Sequence, residues 1–442
     1  MANAMLRGVQ WKGQISPPRD RRAGSLPTEA NIGRTRALDW QRKLQYVFIT
    51  ALAAVFFLCV LSAFATPGAF SDMGPHMEKH VRIMAGEAST AYPLMYYAAE
   101  AIHGTFNLPL DVSYGIFLGA CSVFVLFTLY WFFRRETPVS PALAFLGALS
   151  VSVMLHVYFP GWVLGIYYGQ GGGNAWLNPS FTAMKPFAVA AFLAFALLMD
   201  NLVRKKGGAD GHILLRGAPV RENALYAVFV LACALSMLAK PSFVFGFVFA
   251  AAILFLIRIR YFEKKFFFVM LVSALAMGAL LLLQFGEIFK ETGLHSGGII
   301  FSPARAVYYA GTMTKSIPLS LASNLLYPVV MLALFYRNIN PLKNNVYLLS
   351  WVFYGVSLVI GFTLSEGSFP EHLNMEWTRS IAIFLLNTTA TLEYLKRIAG
   401  RGEARARLAK RARTAYDVKL GAVFICLLLE LYTGIVWLGM YI

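Results

Sequence analysis

Charged residues are scarce in this sequence. Only 14% of the 442 residues are Asp, Glu, Lys or Arg, whereas 58% are hydrophobic. Soluble domains carry about 25% charged and about 45–50% apolar residues. The composition therefore excludes a soluble enzyme and a disordered scaffold, and it predicts a polytopic membrane protein.

Cysteine is scarce as well. The chain has four cysteines, all inside apolar runs, and none has the spacing of a metal site. An oxidising compartment would pair cysteines that lie in loops, and these do not. We interpret them as small residues that face lipid or other helices. They are Cys59, Cys121, Cys233 and Cys426.

Acidic residues are outnumbered by basic ones. There are 22 Asp and Glu against 39 Lys and Arg, which gives a net charge of +17. In a soluble protein this excess would suggest a nucleic-acid partner. Membrane proteins instead concentrate Lys and Arg in their cytoplasmic loops, so the partner that we expect is the lipid bilayer and not a nucleic acid.

Long apolar runs dominate the chain. A run of about 20 apolar residues is long enough to cross the hydrocarbon core of a bilayer. The runs predict an all-α fold, a transmembrane helical bundle of about 11 spans that forms a single domain over residues 44–442. The predicted spans are 44–66, 110–133, 141–159, 182–200, 222–239, 241–258, 266–286, 317–336, 345–364, 377–395 and 418–442.

The distribution of Lys and Arg predicts the orientation of these spans. Counted on alternate sides, 31 of the 39 basic residues fall on the side that carries the N-terminus. By the positive-inside rule that side is cytoplasmic. The prediction gives a basic, disordered cytoplasmic tail over 1–43 and a basic cytoplasmic loop over 396–419. The outer loops are then 67–109, 160–181, 287–316 and 365–378.

The first outer loop combines a carboxylate with a helix-like run. Asp72 stands at a capping position before a predicted interfacial helix, which runs from Pro75 to Ala101 and is broken at Pro93. A carboxylate at the membrane interface can act as a general base, while His or Arg side chains hold an anion. The candidate catalytic residues are Asp72, His76 and Glu78, and the candidate binding residues here are His80, Arg82 and Tyr92.

Two other interpretations of this loop stay open. The helix can be a simple amphipathic one whose charges face water. Alternatively, Asp72, His76 and His80 can bind a metal ion, since two histidines four residues apart share one helix face. Of these interpretations, we do not include a metal site in the prediction.

The second outer loop has no charge but is rich in aromatic rings, amides and glycine. Aromatic faces beside neutral amides suit a sugar ring, which has apolar C–H faces and hydroxyl groups. The alternative is an aromatic belt at the membrane interface with a glycine turn. The candidate sugar-binding residues are Tyr168, Gln170, Asn174, Trp176 and Asn178.

Four basic residues lie at the predicted outer boundary of the membrane. They are Lys185, Lys240, Arg305 and Arg379. A group of cations at this depth could hold the phosphate of a lipid-linked molecule, because buried charges in membranes are costly and usually functional. The alternative is that each long side chain extends to the interface on its own. We place Lys185, Arg305 and Arg379 among the candidate substrate-binding residues.

The order of these features resembles that of the glycosyltransferase-C superfamily. The resemblance rests on Asp72 after the first span, on the run from His76 to His80, and on Tyr92-Pro93-Leu94-Met95-Tyr96-Tyr97. Many members carry two adjacent acids in this loop, whereas Asp72 stands alone. The resemblance implies a polytopic enzyme that takes a sugar from a polyprenyl-phosphate carrier, with Asp72 as the catalytic base.

The function that we predict is therefore glycosyl transfer, of a hexose or a pentose, at the extracytoplasmic face of a bacterial inner membrane. The donor would be a polyprenyl-phosphate-linked sugar, and the acceptor a glycan, a lipid or a protein in cell-surface glycan assembly. A monophosphate donor needs no cofactor, while a diphosphate donor would favour Mg²⁺ or Mn²⁺.

Two alternative functions stay open. One is a polysaccharide polymerase or ligase, and the other is a multispan transporter or flippase. A cavity at the outer boundary favours transfer, whereas a continuous polar path through the bundle favours transport.

Overall fold

A computed structural model of the chain describes residues 29–66, 72–157, 168–169, 172–173, 176, 178–206, 213–215, 218–291, 298–312, 314–367 and 374–440.

The described residues form fifteen α-helices. Each predicted span coincides with one of them, because a long apolar run in a bilayer satisfies its backbone hydrogen bonds as a helix. In chain order they are α1 (Glu29–Ala65), α2 (Met73–Met84), α3 (Leu94–Phe106), α4 (Leu110–Glu136), α5 (Pro141–Val153), α6 (Pro179–Lys206), α7 (Glu222–Ala239), α8 (Ser242–Ile257), α9 (Lys264–Glu291), α10 (Pro303–Thr312), α11 (Ile317–Ile339), α12 (Asn345–Thr363), α13 (Glu376–Ala399), α14 (Arg401–Arg407) and α15 (Lys410–Gly439).

The described residues also contain six short strands, which pair into antiparallel two-stranded ribbons. Strand β1 (Tyr168–Gly169) pairs with β2 (Gly172–Gly173), and β3 (Ile213–Leu215) pairs with β4 (Ala218–Val220). Strand β5 (Ile299–Phe301) pairs with β6 (Leu364–Glu366), so that Ile299 lies opposite Glu366. This last ribbon joins the third and fourth predicted outer loops.

Eight of the helices are long and apolar enough to cross a membrane. The all-α fold and the multipass membrane character are thus confirmed, while the number of eleven spans and their orientation stay predictions. Helices α5 and α8 are apolar but shorter, and α13 is not among the eight. Helix α5, with 13 residues, covers only about 20 Å at 1.5 Å per residue.

Helices α6 and α13 form the centre of the bundle. Helix α6 packs against α4, α7 and α12, and α13 packs against α5, α8, α11, α12 and α15. Both are buried along most of their length. Their polar side chains therefore lie inside the bundle and not at its surface.

Several boundaries differ from the predictions. The first outer loop contains two helices, α2 and α3, because the chain leaves helical geometry after Met84 and α3 begins only after Pro93. Helix α1 begins at Glu29, inside the predicted disordered tail. The basic stretch after Gly400, by contrast, is helical as expected for the run from Arg401 to Arg411, and it forms α14 and the first turns of α15.

Candidate functional site

The carboxylate of Asp72 contacts the second outer loop. Asp72 is the N-cap residue of α2, as the sequence predicts, although its side chain makes no capping hydrogen bond. Instead, Asn178 Nδ2 donates a hydrogen bond of 3.2 Å to Asp72 Oδ2. Two residues predicted separately, one as the base and one as a sugar ligand, thus belong to one cluster.

The orientation of the Asn178 amide is fixed by the hydrogen bonds that its oxygen accepts. Its Oδ1 accepts hydrogen bonds from Ser180 Oγ at 2.6 Å and from the Phe181 backbone N–H at 3.0 Å. The second of these caps the start of α6, which begins with Pro179, a favourable first helical residue. Because Oδ1 is committed to donors, Nδ2 must face Asp72.

Lys240 completes this cluster. It lies in the turn between α7 and α8, is 7% exposed, and its Nζ donates to Asn178 Oδ1 at 3.4 Å and to Ser180 Oγ at 3.3 Å. The ammonium also lies 4.9 Å from the ring centroid of Trp377. Burial lowers the pKa of Lys240 to about 8, and the carboxylates of Asp72 and Glu366 act against that shift. Asp72, Asn178, Ser180 and Lys240 are called the Asp72 cluster below.

The two predicted histidines of α2 both face the bundle. His76 Nδ1 shares a hydrogen bond of 2.7 Å with the Tyr96 hydroxyl. Burial, together with Lys240 and Lys79, lowers the pKa of His76 to about 3. The imidazole of His76 is therefore neutral near pH 7, so it can offer a substrate a hydrogen bond but no positive charge.

His80 is buried and has structural partners on both ring nitrogens. Its Nδ1 lies 2.8 Å from the Tyr114 hydroxyl, and its Nε2 lies 2.9 Å from Glu100 Oε2. These contacts attach α2 to α3 and α4. The arrangement leaves neither ring nitrogen for a metal ion, and the described residues contain no group of three His, Cys, Asp or Glu side chains that could hold one.

A pocket opens beside Lys240. Its lining includes Tyr92, Glu366 and Asn374 as well as Lys240. Asn374 Nδ2 donates to Glu366 Oε1 at 2.8 Å. Tyr92, predicted as a substrate ligand, is thus next to the Asp72 cluster, and the pocket offers a cation, a carboxylate, an amide and an aromatic ring.

Lys185 and Trp176 lie together in a separate pocket. Lys185 Nζ is 5.5 Å from the ring centroid of Trp176 and 5.1 Å from that of Phe181. Phe181 in turn lies 5.1 Å from Trp377, the ring that contacts Lys240. The lining of this pocket shares no residue with the pocket of Lys240, so the two lysines line separate pockets and each contacts one ring of this aromatic pair.

The predicted arginines have partners of their own. Arg379 is buried on α13, forms an ion pair with Glu376, and lies 5.4 Å from the ring centroid of Phe362. Arg305 on α10 donates from Nη2 to the Gly367 carbonyl at 3.1 Å. The structure therefore does not gather the four predicted cations into one site.

The remaining predicted site residues are exposed or lie outside the residues that the structure describes. Glu78 and Arg82 are exposed on the outer face of α2. Tyr168 pairs through its backbone with Gly173, and its side chain is outside the description. Gln170 and Asn174 lie outside the described residues.

The comparisons with known proteins give no relative: no family model, no curated protein and no solved structure matches the chain. The resemblance to the glycosyltransferase-C superfamily stays a prediction. Only the geometry of the site therefore bears on the function of the chain.

Sequence reasoning missed the importance of three polar residues. The sequence indicates Lys240 as a cation at the membrane boundary, but not as a neighbour of Asp72 in one cluster. The available signal is its position before Pro241, between two apolar runs. His156 and Asn387 line the pocket of Lys185. Isolated polar residues near or within apolar runs were the signal for these two.

Proposed function

We propose that the chain is a membrane glycosyltransferase that moves a sugar from a polyprenyl-phosphate-linked donor to an acceptor hydroxyl at the extracytoplasmic face. The observation that carries the proposal is the Asp72 cluster. There, a half-buried carboxylate and a buried ammonium contact the two ends of one amide, Asn178. A base and a cation for a leaving anion are the two groups that such a transfer needs.

Asp72 is the proposed general base. Its carboxylate removes the proton of the acceptor hydroxyl while the hydroxyl oxygen attacks the anomeric carbon of the donor. The bond between that carbon and the phosphate oxygen breaks, and the electron pair leaves with the phosphate. A single displacement of this kind inverts the configuration at the anomeric carbon.

Lys240 is the proposed electrostatic partner of the leaving phosphate. Its ammonium is held by Asn178, Ser180 and the ring of Trp377, so little reorganisation is needed when negative charge develops nearby. Tyr92 and Asn374, in the pocket beside it, supply a ring face and an amide for the sugar. A monophosphate donor handled in this way requires no metal ion; Mg²⁺ or Mn²⁺ would enter with a diphosphate donor.

The test is the substitution Asp72→Asn, which keeps the size of the side chain and removes the base. We expect the surface or lipid-linked glycan of cells to fall by about 100-fold or more, the usual contribution of a general base, at unchanged protein levels in the membrane. The matched control is Glu87→Gln, an exposed carboxylate of the same outer segment, which should keep the glycan. Full glycan synthesis by Asp72→Asn would refute the proposal.

One observation favours a second candidate, a transporter or flippase. Helix α13 carries buried polar side chains at several depths, among them Arg379, Asn387, Thr391 and Glu393. Asn387 Nδ2 also donates to the fully buried Glu430 of α15 at 3.1 Å. A transporter would lose function on Glu430→Gln and keep it on Asp72→Asn, which is the opposite of the pattern expected for the transferase.

A further inference from the structure

Lys185 is a buried cation that has no counter-charge among the described residues. It is 7% exposed on the central helix α6. Within the described parts of the chain it has no hydrogen bond and no ion pair; its neighbours are the rings of Trp176, Phe181 and Phe384, at 5.5, 5.1 and 5.2 Å from Nζ. Contacts with ring faces offset only part of the lost hydration of an ammonium.

The deep carboxylate of Glu430 is engaged by other groups and does not pair with Lys185. Glu430 accepts a hydrogen bond from the Tyr327 backbone N–H at 3.0 Å and one from Asn387 Nδ2 at 3.1 Å. Both carboxylate oxygens are therefore engaged by neutral donors. The ammonium of Lys185 is left facing the cavity that it lines.

A second buried donor lines the same cavity. His156, 7% exposed, follows α5 and makes no hydrogen bond within the described residues. An imidazole ring carries at least one N–H donor. The amides of Asn324 and Asn387 also border the cavity. A cation, an N–H donor and amide groups around one small space are complementary to an anion.

The size of the cavity limits what can enter it. Its volume is about 40 Å³, and one water molecule needs roughly 10–15 Å³ of such space. A group with a few oxygen atoms therefore fits.

We propose that the Lys185 pocket binds a compact oxyanion of the phosphate type, with Lys185 as its cation and His156 as a neutral donor. The pocket is separate from the Asp72 cluster, so the inference does not depend on glycosyl transfer. The phosphate group can come from water, as inorganic phosphate, or from the headgroup of a membrane lipid.

The experiment measures binding and not activity. The full-length protein, purified in an uncharged detergent, is titrated with inorganic phosphate at constant ionic strength while its thermal unfolding is followed. In parallel, the protein in nanodiscs of phosphatidylcholine is compared with the protein in nanodiscs that also contain phosphatidic acid. An anion that binds only the folded state raises the unfolding temperature.

The expected result is a rise that requires Lys185. Wild type should be stabilised, and Lys185→Met should bind at least about tenfold more weakly, as expected for loss of a hydrogen bond to a charged group. Lys264→Met, which removes an exposed lysine outside both pockets, should respond like wild type. A response to inorganic phosphate identifies a soluble ligand, and a response to phosphatidic acid alone identifies a lipid headgroup.

Two results would overturn the proposal. One is the absence of a response to both probes, and the other is an equal response of wild type and Lys185→Met. If Lys185→Met does not fold, His156→Phe takes its place, supported by retention of radiolabelled phosphate on the wild-type protein. Retention that His156→Phe leaves unchanged would count against the site. Loss of binding with intact glycan synthesis would leave the proposed transferase untouched, and the reverse would leave this pocket untouched.

Discussion

At the scale of single residues, Asn178 connects Asp72, Lys240 and the start of α6, which are far apart in the sequence. It caps α6, receives the ammonium of Lys240 and donates to Asp72. The sequence indicates Asp72 and Asn178 as candidates, each from its own loop. Their contact could not be predicted, because 106 residues separate them and no local pattern encodes a contact between two loops.

His76 gives a prediction about acid stability. Its pKa is lowered from 6.5 to about 3 by burial and by the lysines Lys240 and Lys79. Between these two values the unfolded chain takes up a proton and the folded protein does not, so stability falls as the pH decreases from about 6.5 towards 3. The slope for one such group is at most about 1.4 kcal/mol per pH unit.

The substitution His76→Gln should flatten this dependence. Glutamine can still form a hydrogen bond with the Tyr96 hydroxyl but does not titrate, so the unfolding temperature of the variant should fall less between pH 7 and pH 4. All carboxylates act equally in both proteins, and the difference between the two curves isolates His76. Parallel curves would show that His76 is not held neutral by its surroundings.

At the scale of elements, helix positions follow from the sequence better than helix ends. Each predicted apolar run coincides with a helix, because a chain inside the hydrocarbon core can satisfy its backbone hydrogen bonds by forming a helix. The third run was predicted to reach residue 159, yet α5 ends at Val153. There the Leu155 N–H donates to the Glu430 carbonyl of α15 at 3.1 Å. The end of α5 is thus set by a neighbouring helix and not by the local sequence.

The contact between α5 and α15 depends on a glycine. A Cβ atom at Gly434 would overlap the Val153 carbonyl oxygen and approach the Met154 Cα to 2.9 Å, and both are backbone atoms that cannot turn aside. We expect Gly434→Ala to destabilise the protein by about 1–3 kcal/mol, as overpacking does. The measurement is the unfolding temperature and the yield of monodisperse protein in detergent.

Gly421 provides the matched control on the same helix. A Cβ atom there meets nothing within 4 Å, and alanine is the better helix former. Gly421→Ala should therefore be neutral or slightly stabilising. Equal effects of the two substitutions would mean that α15 does not approach the end of α5 as closely as described.

At the scale of the whole molecule, the composition already establishes the membrane environment, whereas the site depends on how the helices pack. The sequence predicts a common depth in the membrane for Lys185, Lys240, Arg305 and Arg379, and nothing more about their neighbours. The bundle separates them, because depth fixes the position along a helix but not the neighbours around it. Arg379 and Glu376 pair on α13, whereas the two lysines line separate pockets, Lys185 against Phe181 and Lys240 against Trp377.

The orientation of the bundle gives the last prediction. The excess of Lys and Arg on one side predicts that the N-terminus and α14 are cytoplasmic and that α2 lies outside. In intact cells, a membrane-impermeant maleimide should label Ala85→Cys, at the exposed end of α2, and should label Ala406→Cys, exposed on α14, only after permeabilisation. The wild-type protein serves as background, because its four cysteines are buried or half-buried.

This experiment bears directly on the proposed reaction. The Asp72 cluster lies at the start of α2, so the side on which Ala85→Cys is labelled is the side on which Asp72 meets its substrates. Labelling of Ala406→Cys in intact cells, with Ala85→Cys protected, would put the cluster in the cytoplasm. Nucleotide-activated sugars would then be accessible to it, and a lipid-linked donor at the outer surface would not.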